Sequence, residues 1–255
     1  MLFSIYKTLI GHKYLFVKNI KGLIKMQLFN NNRVEGKFIS RINRFIAEVE
    51  INRHIHLVHV PNTGRMKELL VKDAIVQMKY HPASHKKTDY SLISVKKNDI
   101  SICVDSRVAN QLFYDYLSHG KLEKFNNIRD LKREIKFNNS RFDIGFIQNN
   151  QPFLIEIKSV NLVKDQKAMF PDAPTIRGNK HIRELIEAKK QGFKTGIVFI
   201  IQRPDATLFL PYRDMDPDFS NSLVEAYSKG VFVKAFTCEV NNERIEIKKE
   251  IPILL

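Results

Sequence analysis

Residues 133–160 constrain the fold of this chain more than any other segment, because three strand-like runs in it are separated by turns rich in asparagine. The runs are residues 134–137, 141–147 and 153–160. Short apolar runs between such turns favour three consecutive strands. Successive side chains of a strand point to opposite faces, so Glu156 and Lys158 would share one face of the third strand. A charged pair therefore interrupts one side of an otherwise apolar strand.

A carboxylate on the second of these strands adds to a candidate metal site. Asp143 lies between two apolar residues, and it would face the same ion as Glu156 if the second and third strands pair. Two carboxylates can hold a hard cation such as Mg²⁺ or Mn²⁺, and a bound ion lowers the pKa of a water and stabilises negative charge on phosphate. Lys158 would direct its ammonium to the same place. We therefore predict catalytic roles for Asp143, Glu156 and Lys158, with Asp143 and Glu156 as the metal ligands.

The spacing of these residues leaves a structural alternative open. Acids and a lysine this close together also occur by chance in a charged protein. In that case Glu156 and Lys158 would form an exposed ion pair, which typically contributes well under ~1 kcal/mol to stability.

The order Asp143, then Glu156-x-Lys158, resembles the PD-(D/E)xK phosphodiesterase motif. The proline of the motif is absent, because the two residues before Asp143 are arginine and phenylalanine. The resemblance implies a metal-dependent phosphodiesterase site. It makes Glu134 the candidate for an additional catalytic acid upstream of the motif.

Several further motifs, all in one order, resemble the sugar fermentation stimulation protein (SfsA) family across about residues 27–255. They are Asn43-Arg44-Phe45, Pro61-Asn62-Thr63-Gly64, Ser140-Arg141-Phe142-Asp143, Glu156-Ile157-Lys158, Phe170-Pro171-Asp172-Ala173, Arg177-Gly178, Lys180-His181 and Gln202-Arg203. The resemblance implies an N-terminal OB-like five-stranded β-barrel. It also implies a C-terminal restriction-endonuclease-like domain, a mixed sheet flanked by helices, and a role in binding DNA. The family name refers to the regulation of sugar metabolism and leaves open whether its members cleave DNA.

The chain divides into an all-β half and a mixed half. Strand-like runs recur at regular spacing from residue 28 to about residue 101, which indicates a small barrel. We predict a basic extension at residues 1–26, a barrel domain at 27–104, a linking helix at 105–120 and a nuclease-like domain at 121–255. A misassigned start codon is the favoured explanation for the extension. Residues 161–179 are predicted as a long loop that leads into a helix from residue 180 to about residue 190.

Polar and basic residues in these motifs are candidates for contact with nucleic acid, because OB barrels bind single strands through a basic groove with stacking aromatic side chains. The candidates are Arg44, Asn62, Arg65, Arg141, Arg177, Lys180, His181 and Gln202. Gln202 is included because it follows a continuous apolar strand, and α/β sites gather at the carboxyl ends of such strands. Each candidate could equally be an ordinary solvated or packing side chain.

The net charge of +15 favours a polyanionic partner. Nucleic acid fits best, since Lys and Arg contacts to phosphate supply most of the energy of non-specific binding. A genome biased towards Lys, Asn and Ile codons would also raise the charge, so charge alone does not identify the ligand.

The motifs and the charge together leave two hypotheses about function. The protein is either a DNA-binding protein that regulates sugar-metabolism genes, or a Mg²⁺-dependent nuclease acting on DNA or RNA.

Cysteine usage and the first residues of the chain predict the compartment. Cys103 and Cys238 lie far apart, without a companion at zinc-ligand spacing, which indicates buried thiols in a reducing compartment. Lysines interrupt the apolar residues of the first thirty positions, so neither a secretory signal nor a membrane span is predicted there. We therefore predict a cytoplasmic protein without a membrane partner.

Overall fold

The computed structural model describes residues 25–29, 31–82, 88–241 and 243–255. The predicted basic extension lies outside the described residues, apart from residues 25 and 26. Within the described ranges, no helix is long and apolar enough to cross a membrane. Cys103 and Cys238 are both buried and free, as the sequence predicts.

The N-terminal half forms a closed barrel after a short first strand, β1 (Met26–Gln27). The barrel strands are β2 (Arg33–Arg41), β3 (Ile46–Ile51), β4 (His54–His59), β5 (Ile75–Tyr80), β6 (Tyr90–Lys97) and β7 (Ile100–Cys103). Their hydrogen-bonded order is β4-β3-β2-β5-β6-β7, and parallel pairing of Val58 with Tyr90 closes β4 onto β6. Strands β2 to β6 therefore form the predicted five-stranded OB-like barrel, and β7 extends it beyond β6.

Strand β2 pairs with a different neighbour along each of its halves, and Gly36 lies where β2 comes close to β3. Residues 33–37 pair with β5, and residues 37–41 pair with β3. A Cβ on Gly36 would lie 2.6 Å from the carbonyl oxygen of Glu50 and 2.7 Å from a methyl carbon of Val49. Only glycine allows the backbones of β2 and β3 to approach this closely.

The second half of the chain builds a mixed sheet flanked by helices. Its elements are α1 (Ser106–Ser118), a 3-10 turn (Glu123–Phe125), β8 (Ile128–Phe137), β9 (Ser140–Gln148), β10 (Gln151–Val160), β11 (Val163–Lys164), β12 (Lys167–Phe170), α2 (Ile176–Lys190), β13 (Lys194–Ile201), β14 (Leu208–Pro211), α3 (Pro217–Ser228), β15 (Phe232–Val240) and β16 (Arg244–Glu250). The order of the main sheet is β1-β16-β15-β13-β10-β9-β8. Its central strands β10, β13 and β15 are parallel, and the outer pairs are antiparallel. This arrangement confirms the predicted restriction-endonuclease-like fold class.

The two faces of this sheet carry separate apolar cores. Helix α1 packs on one face, where Ile155 and Ile157 of β10 join its buried residues. Helices α2 and α3 pack on the other face, which receives Leu154 of β10. Because side chains alternate along β10, Glu156 shares the face of Leu154 and lies beneath α2. The sheet thus directs Glu156 towards α2.

The predicted loop at residues 161–179 is more ordered than its sequence suggests. It contains β11 and β12, which join β14 in a separate three-stranded sheet. Helix α2 begins at Ile176, earlier than predicted, because the Thr175 hydroxyl accepts a hydrogen bond from the Gly178 N–H and caps the helix. Residues 26–29, whose last three positions were assigned to the barrel domain, pack instead on the second sheet, where β1 pairs with β16 and Phe29 joins the core.

A buried polar interface fixes the barrel against the second domain. The Arg203 guanidinium is 2% exposed and donates to Glu68 of the barrel (2.9 Å), to the Asn161 carbonyl (2.9 Å) and to both oxygens of Asp205 (2.7 Å each). The Asn161 side chain donates to the Cys103 carbonyl at 2.6 Å. The bonds from Arg203 to Glu68 and from Asn161 to Cys103 join the second domain to the barrel. The two domains therefore form one continuous structure with a cleft between them.

Candidate metal and nucleic-acid site

A cleft of about 1080 Å³ opens between the barrel and the second domain. The barrel contributes residues 41, 43, 44, 62–65, 67 and 70 to its wall. The second domain contributes the end of β10, residues 169–175 and the first turns of α1 and α2. Asp143, Glu156 and Lys158 all line this cleft, so the structure brings together three of the four predicted catalytic residues.

Asp143 occupies the point where β9 and β10 separate. The ladder between these strands ends at the pair Ile144 and Ile155. Beyond it, the Ile157 N–H donates to Asp143 Oδ2 at 2.7 Å, and the Asn110 amide of α1 donates to Asp143 Oδ1 at 2.6 Å. The carboxylate therefore replaces a backbone acceptor at the opening of the sheet, and both of its oxygens are held in fixed positions.

Glu156 is the most deeply buried acid of the cleft, at 3% exposure. Its Oε1 accepts hydrogen bonds from Lys158 Nζ (2.5 Å) and from His181 Nδ1. Its Oε2 is buried and has no hydrogen-bond partner among the described residues. The exposed ion pair considered from the sequence is therefore wrong, since the Lys158 side chain is only 14% exposed as well.

The two carboxylates of the site have opposite pKa shifts. Burial and the nearby charge of Glu156 raise the pKa of Asp143 to about 7, although the Ile157 N–H, Lys158 and Asn110 oppose this shift. Burial also disfavours the charged form of Glu156, but Lys158 and His181 outweigh it and hold the pKa of Glu156 below its ordinary value. The protein alone thus compensates the negative charge of Glu156, whereas the charge of Asp143 is compensated only in part.

These features fit a hard divalent cation. A buried carboxylate oxygen without a donor is costly, and a cation would satisfy Glu156 Oε2. The described residues contain no group of three or more His, Cys, Asp and Glu side chains arranged to hold a metal ion. Asp143 and Glu156 alone would suit an ion that keeps several waters, as Mg²⁺ does.

The predicted nucleic-acid ligands fall into two groups. Arg44, Asn62, Arg65 and Arg177 line the cleft. Both ends of the Asn62 side-chain amide, however, are hydrogen-bonded within the protein. Its amide nitrogen donates to the Val104 carbonyl and to Asn161 Oδ1, both at 3.0 Å, and its oxygen accepts from the Gly64 N–H at 2.8 Å. The three arginines are therefore the candidates in the cleft that have side chains suited to phosphate.

The other predicted residues lie outside the cleft wall. Arg141 and Glu134 are exposed and approach each other to 3.6 Å. Glu134 instead lines a neighbouring cavity of about 470 Å³ that also reaches Asp143. Lys180 donates to the Asn139 carbonyl at 3.0 Å. None of these three side chains lines the cleft beside Glu156 and Lys158.

Two predicted nucleic-acid ligands are buried, so direct contact with nucleic acid does not fit their positions. Gln202 is fully buried, because its amide nitrogen donates to the Asp105 carbonyl at 3.0 Å and its oxygen accepts from the Ser159 hydroxyl. His181 is 5% exposed and lies behind Glu156. The Arg177 Nε–H points to His181 Nε2 at 3.4 Å, which leaves Nδ1–H as the donor to Glu156.

Sequence reasoning missed Asn110 and Asp172. Asn110 contacts Asp143 directly, and it shares one face of α1 with Ser106 and Arg107, which also line the cleft. That spacing of one helical turn was the available signal. Asp172 lies on the opposite wall, where its carboxylate accepts from the Met66 N–H at 3.2 Å. No local pattern links Asp172 to the barrel.

The fold and the site together define a two-domain protein in which an OB barrel precedes a restriction-endonuclease-like domain with an Asp, Glu-x-Lys constellation. Residues 39–104 match the profile described as the SfsA N-terminal OB domain, and residues 107–244 match the sugar fermentation stimulation protein RE domain. The chain belongs to the SfsA family.

Named relatives and a solved structure agree with this assignment. The chain is 42% identical to a sugar fermentation stimulation protein homolog of Caldanaerobacter subterraneus, over 89% of this chain and 100% of the relative. It is 41% identical to the homolog of Acetivibrio thermocellus, over 87% of this chain and 97% of the relative. The structure of Pyrococcus furiosus SfsA in complex with Ca²⁺ has a TM-score of 0.82 and 29% identity, and it covers 89% of this chain and 99% of that one.

Proposed function

We propose that this protein binds nucleic acid, with DNA as the first ligand, in the cleft between the barrel and the second domain, beside a divalent metal held by Asp143 and Glu156. The observation that carries the proposal is the buried Glu156 Oε2, which lacks a protein donor in the described structure and lies in the same cleft as Asp143. A cation there would satisfy this oxygen and offset the repulsion between the two carboxylates.

The relative from Pyrococcus furiosus supports a divalent ion, since its structure contains Ca²⁺. For this chain we propose Mg²⁺ or Mn²⁺. Calcium and magnesium both prefer oxygen ligands, and magnesium keeps more of its waters when a protein supplies only a few carboxylates. The pair Asp143 and Glu156 is such a set, with Asn110 and His181 orienting the two carboxylates from behind.

The arginines of the cleft supply the contacts to phosphate. Arg44 and Arg65 approach from the barrel, and Arg177 approaches from the first turn of α2. Nucleic acid bound between them would place a phosphate near Glu156 and Lys158. Contacts of this kind release counterions, so the affinity should fall steeply with salt.

Hydrolysis of the phosphodiester bond is the second candidate function. Lys158 favours it, because its ammonium lies 2.5 Å from Glu156 Oε1 and lines the cleft. A metal bound at the site would lower the pKa of a water and stabilise charge on the phosphate. Lys158 would then neutralise negative charge that develops on the phosphate oxygens.

A binding and cleavage experiment tests both functions. Labelled duplex DNA, single-stranded DNA and RNA are titrated with protein over a series of salt concentrations, with Mg²⁺, Mn²⁺, Ca²⁺ or EDTA. Arg177→Ala should weaken binding and lower the salt slope by about 1. The control Arg129→Ala removes an exposed arginine that bonds Asn150, outside the cleft, and should leave the slope unchanged.

Metal binding is measured separately by calorimetry. Asp143→Asn and Glu156→Gln should each abolish it, whereas Asp214→Asn and Glu187→Gln, which change carboxylates outside the cleft, should not. Cleavage that requires metal and is lost in Lys158→Met would establish a nuclease. Salt-sensitive binding without cleavage would leave a nucleic-acid-binding protein. Absence of binding to all three ligands would refute the proposal.

Regulation of sugar-metabolism genes would require sequence-specific binding to DNA. Selection of binding sites from a random duplex library tests this part of the proposal. A recovered consensus would support a regulatory role, and recovery of unrelated sequences would favour non-specific binding through the phosphate contacts.

A further inference from the structure

Arg41, at the end of β2, has an unusual set of partners. Its guanidinium has five N–H groups, and the backbone oxygens that accept from it are all carbonyls of two barrel loops. The oxygens and their distances are Asn43 (3.3 Å), Arg44 (2.7 Å), Asn62 (2.7 Å), Gly64 (2.5 Å) and Arg65 (3.1 Å). Arg41 therefore has no N–H group left for a phosphate, although it lines the cleft.

The loops held by Arg41 carry two of the three arginines that are proposed to contact phosphate. Arg41 Nη2 binds the carbonyl of Arg44, and Nη1 binds the carbonyl of Arg65. The side chain of Arg44 makes no ion pair with any described residue, and that of Arg65 lies 3.9 Å from Met215 Sδ across the cleft. One guanidinium thus fixes the backbone beneath two others that are available to an anion.

Asp172 connects this arrangement to the second domain. Its Oδ2 accepts from the Met66 N–H at 3.2 Å, next to Arg65. A Cβ on Gly64 would lie 2.5 Å from Asp172 Oδ2, so an alanine there would require the Asp172 carboxylate or the loop to shift. Burial lowers the pKa of Arg41, and the charge of Asp172 opposes that shift and favours the cation. The second domain thereby supports the same loop that Arg41 holds.

We propose that Arg41 is a positioning residue that holds the Arg44 and Arg65 side chains at the phosphate path without touching the nucleic acid. This inference rests on the proposed function of the cleft. The inference predicts how much the slope of log affinity against log salt concentration should change. Each phosphate contact contributes about 0.9 to the salt slope, so loss of Arg41 should remove about two contacts, whereas a residue that bound one phosphate itself would remove about one.

The test is a double-mutant cycle on the salt slope for the nucleic acid that binds best. Arg41→Met should lower the slope about as much as the double variant Arg44→Ala/Arg65→Ala, by roughly 1.8. In the background of that double variant, Arg41→Met should produce no further change. Arg41→Lys should fail like Arg41→Met, because one ammonium cannot span five carbonyls.

Three controls separate positioning by Arg41 from loss of a barrel charge or loss of the fold. Lys37→Ala removes an exposed β2 lysine outside the cleft wall and should leave the slope unchanged. Arg177→Ala should lower the slope by about 1 in both the wild type and the Arg41→Met background, since Arg41 does not contact Arg177. Metal binding measured by calorimetry should stay unchanged in Arg41→Met, which reports an intact second domain.

A milder variant keeps the test valid if Arg41→Met does not fold. Gly64→Ala disturbs the contact with Asp172 of only one of the two loops, the one that carries Arg65, so it should lower the slope by at most about 1. Equal losses from Arg41→Met in the wild type and in the Arg44→Ala/Arg65→Ala background would overturn the inference, as would full binding by Arg41→Lys. Absence of salt-dependent binding by the wild type would overturn the proposed function and this inference with it.

Discussion

Substitution of Asp143 by asparagine should stabilise the metal-free protein at neutral and alkaline pH. The pKa of Asp143 rises from 3.8 to about 7 in the folded protein. Each pKa unit corresponds to about 1.4 kcal/mol, so ionised Asp143 costs the fold at most about 4 kcal/mol. Asp143→Asn removes this cost. The new amide can still accept from the Ile157 N–H, and the Asn110 amide can rotate to accept from its nitrogen.

The sign of the pH dependence follows from the raised pKa. The folded state holds the Asp143 proton more tightly than the unfolded state, so the contribution of Asp143 to stability is greatest below about pH 4 and is lost as the pH rises to about 7. The variant lacks this titration. Its advantage over the wild type should therefore widen by about 2 to 3 kcal/mol between pH 5 and pH 8.

Urea unfolding in EDTA at a series of pH values measures this difference. Asp214→Asn, which changes an exposed aspartate, is the control and should track the wild type. Added Mg²⁺ should stabilise the wild type and leave Asp143→Asn unchanged, because binding to the folded state alone raises stability. A gap between variant and wild type that stays constant with pH would refute the reasoning, as would a less stable variant at pH 8.

Three further outcomes follow from other contacts. Glu156→Gln should destabilise the protein by about 3 kcal/mol in urea unfolding, because it leaves the partly buried ammonium of Lys158 without its ionised partner; an equal or higher midpoint would contradict this. Gly36→Ala should lower the thermal midpoint by several degrees, since its Cβ would meet the Glu50 carbonyl oxygen at 2.6 Å, and an unchanged midpoint would show that β2 can move. Arg203→Met should cost about 3 to 5 kcal/mol and split calorimetric unfolding into two transitions, because Arg203 joins the domains; one unshifted transition would argue against that role.

The part of the site on adjacent strands could be predicted from the sequence. Alternation along β10 places Glu156 and Lys158 on one face, and the short turn after Gln148 makes β9 its neighbour. Asp143 and Glu156 therefore had to meet once the pairing was assumed. The five barrel strands were likewise predictable, because each is a short run bounded by turn residues.

The orientation of isolated polar residues could not be predicted. Gln202 follows an apolar strand, as a site residue would, but it is buried and its amide nitrogen donates to the Asp105 carbonyl. His181 has the sequence position of a phosphate ligand, yet the packing of α2 on the sheet directs it towards Glu156. A sequence pattern shows that a polar side chain is close to a site, whereas long-range packing decides which atoms it contacts.

The polar interface between the domains explains how the cleft can be charged and still keep its shape. Arg203 and Asn161 satisfy buried groups on both sides of the interface, so the distance between the barrel and β10 does not depend on a ligand. The backbone at Arg44 and Arg65 is then fixed relative to Glu156 before the proposed nucleic-acid ligand binds. Preorganised charges lose little entropy on binding. The incompletely compensated charge of Asp143 reduces stability locally, while the rest of the interface keeps the cleft open for the proposed metal and phosphate.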